Sequence, residues 1–151
     1  MKLAEALIER AELKGQLESL RMRMMNNARV QEGTEPLETP DKLLKELEEG
    51  LARMEYLMTH INKTNANTTS KEGLTISELI AKRDCLSKKV SLLGSYVDSA
   101  SAISARLTHS EIKVLSAIPV SEMRTTIDKL SKELRLIDTK IQELNWLTEL
   151  L

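Results

Sequence analysis

The sequence predicts an all-α protein, an antiparallel bundle of four long helices with coiled-coil-like spacing. Leucine fills 25 of the 151 positions, whereas aromatic residues make up only 2% and glycine and proline together only eight. This composition disfavours a β-sandwich or barrel. Apolar residues also recur at alternating spacings of three and four, which places them on one face of a helix. We expect a single helical domain over residues 1–151, with helices at about 2–28, 40–66, 76–104 and 121–150.

The first two helices are defined by their apolar stripes and by a start signal. The first stripe contains one polar residue, Arg10, and the second helix begins where Thr39 can cap and Pro40 already has a helical φ angle. The first stripe consists of Leu3, Ala6, Arg10, Leu13, Leu17, Leu20 and Met24. The second consists of Leu44, Leu47, Leu51, Met54, Met58 and Ile61.

The last two helices follow the same pattern. Thr75 and Glu78 have the spacing of a capping box at the start of helix three, and Ser121 is a plausible cap for helix four. The third stripe consists of Ile76, Leu79, Arg83, Leu86, Val90, Leu93, Val97 and Ala100. The fourth consists of Met123, Ile127, Leu130, Leu134, Ile137, Ile141, Leu144, Thr148 and Leu151.

Short connections favour an up-down-up-down bundle, with two hairpins exchanged between subunits as the alternative. The first and third connections, 28–38 and 106–120, then lie at the same end. Residues 112–118 are rich in β-branched side chains, so they form either a short two-stranded ribbon with 29–31 or an ordinary loop packed by its apolar residues.

Composition and charge exclude several classes of protein. The formal net charge is −1, which removes the simplest argument for nucleic-acid binding. One cysteine, Cys85, can form neither an intramolecular disulfide nor a cysteine zinc site. The N-terminal decapeptide carries charges where a secretory signal is apolar, and no stretch has the apolar length of a membrane span. We therefore expect a cytoplasmic protein without membrane or nucleic-acid partners.

No motif indicates catalysis. His60 and His109 lack the acidic residue three positions earlier that a di-metal helical bundle uses, and phosphate-binding loops, nucleophile elbows and C-x-x-C pairs are absent. Cys85 falls within a predicted helix, where a thiol is usually a small buried hydrophobe. We expect no enzyme, no cofactor and no metal.

Polar residues that interrupt the apolar stripes form a candidate cluster at one end of the predicted bundle. Two interpretations remain open beside that of an external polar patch without a role. A polar layer fixes helix register or oligomeric state, or else Arg10 and Arg83 grip a small anion that the amides orient. Either arginine, if buried, requires partners such as Asp84 or Asp138. The cluster consists of Arg10, Asn62, Asn65, Arg83, Asp84 and Asn145.

The last helix carries apolar side chains beyond one stripe, which predicts a second contact surface. Trp146, Leu147 and Leu150 form this candidate homo-oligomer interface, because tryptophan is favoured at protein interfaces. The alternative is that they cover the end of the bundle itself.

Six sequence blocks resemble a family of small bacterial helical proteins of unestablished role that often carry the automatic label septicolysin. The blocks are residues 1–10, 26–33, 61–65, 81–84, 110–113 and 141–148. The resemblance implies a cytosolic, oligomeric helical bundle and transfers no site residues. The label implies a membrane-active cytolysin, but the helix faces lack the basic and aromatic bias of membrane-surface helices. Three hypotheses follow, in order: a self-associating scaffold or adaptor, a small-anion-binding protein or unrecognised enzyme, and a cytolysin.

Overall fold

The computed structural model describes residues 1–102 and 114–151, and within them it contains four helices and no sheet. The helices are α1 (Leu3–Asn26), α2 (Pro40–Asn67), α3 (Ile76–Ser101) and α4 (Val120–Leu147). The all-α prediction is confirmed, and the helix ends that fall in the described ranges lie within three residues of those predicted. The predicted end of the third helix, residue 104, lies outside the described residues.

The described residues form two compact units, each built on a pair of helices. The first unit comprises residues 1–75 and 144–151 and contains α1 and α2. The second comprises residues 76–143 and contains α3 and most of α4. In each unit the two helices pack against each other. In the first unit they run antiparallel, since Glu9 pairs with Arg53 and Arg23 pairs with Glu46. Whether residues 1–151 act as a single domain stays a prediction.

In the first unit, the face of α1 that packs on α2 is the predicted one. Leu3, Ala6 and Leu20 on this face are buried. The predicted stripe of α2 is only partly buried, however. Ile61 lies in the core, but the other buried residues of α2 are Leu43, Leu57 and Thr64. The cause is a close helix contact at Gly50, where an added Cβ would lie 2.8 Å from Leu17 Cδ2.

The fourth helix ends three residues before the predicted position, because the chain becomes extended and pairs with the start of α1. The N–H of Leu3 donates to the carbonyl of Thr148 at 2.9 Å, and the N–H of Leu150 donates to the carbonyl of Met1 at 2.9 Å. An isolated antiparallel bridge joins Lys2 to Glu149. Residues 148–151 are therefore held against the first unit.

In the second unit, both stripes lie where the sequence predicts. The buried residues of α3 include Ile76, Leu79 and Val97, and those of α4 include Ile137 and Ile141. At the surface, Lys82 Nζ lies 3.3 Å from Glu133 Oε1 and joins the two helices.

The predicted β-ribbon is absent from the described part of its two segments. Residues 29–31 and 114–118 form no strand, and Ile112 and Lys113 lie outside the described residues. In each segment, backbone groups form hydrogen bonds with residues two or three positions away instead. The N–H of Thr34 donates to the carbonyl of Gln31 at 3.0 Å, and the Ser116 hydroxyl donates to the carbonyl of Ile118 at 2.9 Å.

Two predicted helix caps also need correction. Thr39 precedes α2 with extended backbone angles, but its side chain makes no capping hydrogen bond. The fourth helix begins at Val120, which places Ser121 inside the first turn rather than before it. The other predicted start signal, a proline at the first position of α2, is present in the structure.

Candidate interaction surface

The second helix carries two apolar stripes, one against α1 and one facing outward. Leu43, Gly50 and Leu57 lie seven residues apart on the face that meets α1. The residue after each of them is also apolar, which produces a second stripe rotated by about 100° around the helix axis. This outer stripe consists of Leu44, Leu51 and Met58, which are 48%, 52% and 48% exposed.

Acidic residues border the outer stripe on the side away from α1. Asp41, Glu48 and Glu55 also lie seven residues apart, and Glu48 and Glu55 follow Leu44 and Leu51 by four positions. All three are exposed, and the described part of the chain contains no ion pair to any of them. We call Asp41, Glu48 and Glu55 the acidic flank.

On its other side, the outer stripe adjoins a groove between α1 and α2. The groove has a volume of about 350 Å³. It is lined by Arg10, Ala11 and Lys14 of α1 and by Met54 and Met58 of α2. Neither Arg10 nor Lys14 has an ion pair or hydrogen bond to a side chain within residues 1–102 and 114–151. We call these two cations the basic flank. The outer stripe thus runs between unpaired acids and unpaired bases.

The opposite edge of the α1–α2 pair is ion-paired. Arg53 forms a bidentate pair with Glu9, with 2.6 Å from Nε to Oε1 and 2.7 Å from Nη2 to Oε2. The hydrogen bonds from Arg53 lower the pKa of Glu9 from its ordinary value. The Arg53 guanidinium also lies 5.1 Å from the centre of the Tyr56 ring.

Arg23 forms a larger ion cluster farther along the same edge. Its Nη1 lies 2.7 Å from Glu46 Oε1, and its Nε lies 2.9 Å from Glu38 Oε2. Hydrogen bonds from Arg23 lower the pKa of Glu38 to about 2 and also lower the pKa of Glu46. Asn27 Oδ1 accepts the Glu38 N–H at 3.0 Å, which ties the α1–α2 connection to this cluster.

These pairs could not be predicted from the sequence, because nothing in their spacing marks them. Arg53 and Glu9 are 44 positions apart, and Arg23 and Glu46 are 23 apart. Local rules for charge pairs apply only at three or four positions along one helix.

Four members of the predicted polar cluster belong to the first unit. Arg10 lies in the groove, as part of the basic flank. Asn62 is exposed and therefore is not a core residue. Asn65 is half-buried, and its Oδ1 has no hydrogen-bond partner among the described residues. Asn145 is buried, with 7% of its surface exposed.

Arg83 and Asp84, the other two members, belong to the second unit. Arg83 Nη2 lies 2.7 Å from Asp84 Oδ1, and Arg83 Nε lies 3.8 Å from Asp138 Oδ1. The charge of Arg83 is therefore balanced by carboxylates of its own unit, whereas that of Arg10 has no such partner in the described chain.

The predicted oligomer surface at the end of α4 is open to solvent. Trp146 is 54% exposed and Leu147 is 66% exposed, while Leu150 is half-buried. Trp146 and Leu147 therefore keep more than half of their surface open to solvent. Cys85 is also exposed rather than buried as expected.

Two further properties concern metals and membranes. Among the described residues, no three His, Cys, Asp or Glu side chains come together in a way that could hold a metal ion. No helix in the described ranges combines the length and apolar character needed to cross a bilayer.

Comparison with known proteins gives a family and a structural relative. Residues 10–150 match the model of a family of unknown function, DUF6847. The crystal structure of a functionally unknown conserved protein from Corynebacterium diphtheriae matches with a TM-score of 0.89 and 39% identity, covering 100% of this chain and 99% of that one. No curated protein matches. Neither match carries the septicolysin label.

Proposed function

The chain belongs to the DUF6847 family, whose function is unknown, and we propose that it is a non-enzymatic, self-associating helical protein that serves as a cytoplasmic scaffold or adaptor. The outer stripe carries this proposal. Leu44, Leu51 and Met58 repeat at the seven-residue interval by which one helix packs against another, yet each remains half exposed. A second helix laid along them would remove this apolar surface from water.

The size of the stripe predicts weak, reversible association. Fully burying a leucine or methionine contributes about 1.5–3 kcal/mol, so covering the exposed half of three side chains on each of two copies contributes about 5–9 kcal/mol. Association costs at least about 4 kcal/mol in lost freedom of motion. Stable assembly therefore needs further contacts, and the exposed Trp146 and Leu147 are the best candidates for them.

Sedimentation equilibrium between 1 and about 100 μM tests the proposal. We expect the mass to rise with concentration to an integer multiple of 17.0 kDa. Leu51→Gln should weaken this association, whereas Leu92→Gln, at a leucine of similar exposure on α3, serves as the matched control. A wild-type protein that stays monomeric throughout this range would overturn the proposal.

A small-anion-binding protein is the second candidate, favoured by the groove that holds Arg10 and Lys14. Two cations without carboxylate partners in the described chain could bind a phosphate or carboxylate group. Titration calorimetry with inorganic phosphate should then show binding that Arg10→Met abolishes and Glu55→Gln preserves. Absence of heat at millimolar phosphate would remove this candidate.

A further inference from the structure

We propose that the outer stripe binds the same stripe of a second copy in parallel orientation and in register. The basic flank of each copy then faces the acidic flank of the other. This inference rests on the proposed self-association and adds the occupant of the surface, its direction and its charge pairs.

The orientation follows from the two kinds of twofold axis that can relate two packed helices. An axis along the helices makes them parallel and brings the left flank of one against the right flank of the other. An axis across the helices makes them antiparallel and brings like flanks together. The outer stripe has bases on one side and acids on the other. Parallel pairing therefore joins opposite charges, while antiparallel pairing opposes acid to acid and base to base.

The heights of the charged groups along α2 agree with an in-register arrangement. Arg10 lies in the groove beside Met54 and Met58. Glu55 occupies the same turn of α2, on the far side of the stripe. In a parallel, in-register pair, Glu55 of the second copy lies at the height of Arg10. The next acidic residue, Glu48 of the second copy, lies one heptad lower, toward Lys14.

Both flanks have charges available for this contact. The described chain gives no ion pair to Arg10, Lys14, Glu48 or Glu55. The opposite edge offers no such charges, because Arg53 and Arg23 are already bonded to glutamates of their own copy. Burying those pairs would cost desolvation without providing a new partner. The stripe also matches itself in register, with Leu51 against Leu51.

Charge reversal tests the flank contact. We expect Arg10→Glu and Glu55→Arg each to weaken dimerisation by about tenfold, because each replaces two symmetric attractions by repulsions. The double variant Arg10→Glu/Glu55→Arg should recover wild-type affinity. Lys129→Glu, an exposed lysine on α4, is the control and should leave the dimer unchanged. Single reversals without effect would overturn the proposal.

Disulfide trapping tests the direction. In a Cys85→Ser background, Leu44→Cys should crosslink to itself under mild oxidation, and Leu92→Cys should not. An antiparallel pair centred on Leu51 would instead crosslink Leu44→Cys only when mixed with Met58→Cys, which would overturn the parallel arrangement. A dimer with neither crosslink overturns this inference alone, whereas a wild-type monomer overturns the proposed function as well.

Discussion

Thr64 and Leu151 are joined by a hydrogen bond, with the Leu151 N–H donating to the Thr64 hydroxyl at 2.9 Å. The same hydroxyl donates its proton to the carbonyl of His60 at 2.8 Å. The Thr64 side chain has no exposed surface. A hydroxyl in this position is tolerated because it both donates and accepts. It fixes the extended segment 148–151 on the last turns of α2.

Replacing Thr64 by valine keeps the shape of the side chain and removes both hydrogen bonds. We expect Thr64→Val to lower the free energy of unfolding by about 1–3 kcal/mol, since the Leu151 N–H loses its partner. Urea denaturation measures this change, and hydrogen exchange at Leu150 and Leu151 should accelerate. Thr125→Val, which removes an exposed hydroxyl that bonds only within its own helix, is the control. Equal losses of unfolding free energy in the two variants would contradict the role assigned to the Thr64 hydroxyl.

The two stripes of α2 should respond differently to truncation. Leu57 is fully buried against α1, so Leu57→Ala should cost about 2–5 kcal/mol of unfolding free energy. Leu51→Ala should cost less than about 1 kcal/mol when unfolding is measured at a concentration where the protein is monomeric. At high concentration, Leu51→Ala should instead lower the fraction of dimer. The reverse ranking in monomer stability would show that the stripes are misassigned.

The Arg23 cluster predicts a specific loss of stability in acid. The pKa of Glu38 falls from its ordinary 4.5 to about 2 in the folded protein because Arg23 hydrogen-bonds the carboxylate. A lowered pKa stabilises the fold fully above the unfolded value, and this contribution disappears as the pH falls from about 4.5 to about 2. Glu38→Gln should therefore lose less stability than the wild type over this interval.

Thermal denaturation at a series of pH values between 2 and about 7 measures the effect of Glu38→Gln. Glu35→Gln is the matched control, because Glu35 lies in the same connection, is exposed and has no ion pair in the described chain. Identical acid profiles for the wild type and Glu38→Gln would contradict the prediction.

Two glycines in helix interiors test the closeness of the α1–α2 contact. Nothing lies within 4 Å of a Cβ built at Gly15, whereas one built at Gly50 meets Leu17 Cδ2 at 2.8 Å. Gly15→Ala should raise the free energy of unfolding by about 0.5–1 kcal/mol through helix propensity. Gly50→Ala should gain less, since Leu17 must move. Chemical denaturation of both variants measures these changes. Equal increases in the free energy of unfolding would mean that Leu17 moves without an energetic cost.

The four helices and the packed faces of α1, α3 and α4 were predictable from the sequence, whereas the rotation of α2 was not. The stripes of α1, α3 and α4 each had one dominant set of apolar positions, and these are the faces that the structure packs. In α2, the positions of Leu43 and Leu44 begin two sets with the same seven-residue period. Gly50 makes the first set look interrupted, although its lack of a side chain is what admits Leu17. Periodicity could not choose between them.

The candidate site was predictable only in part, because a polar residue in a stripe has several possible causes. Arg10 was recognised, and it lies beside an open groove. Arg83 has the same pattern in sequence but bonds to Asp84 within its own helix. The acidic flank gave no signal, since exposed glutamates are ordinary on any helix. The acidic flank indicates a contact surface only together with Arg10 and Lys14, which α1 places on the other side of the outer stripe.

The ion-paired edge of the α1–α2 hairpin has a consequence for the growth of any assembly. Arg53 with Glu9 and Arg23 with Glu38 and Glu46 occupy one long side of the hairpin, so only the side with the outer stripe offers apolar and unpaired charged groups for a contact. Parallel pairing would bury the outer stripe in both copies. Filaments require two complementary surfaces on each molecule, and a twofold contact of this kind supplies only one. An association through this surface alone would therefore close at two chains and would not extend into a fibre.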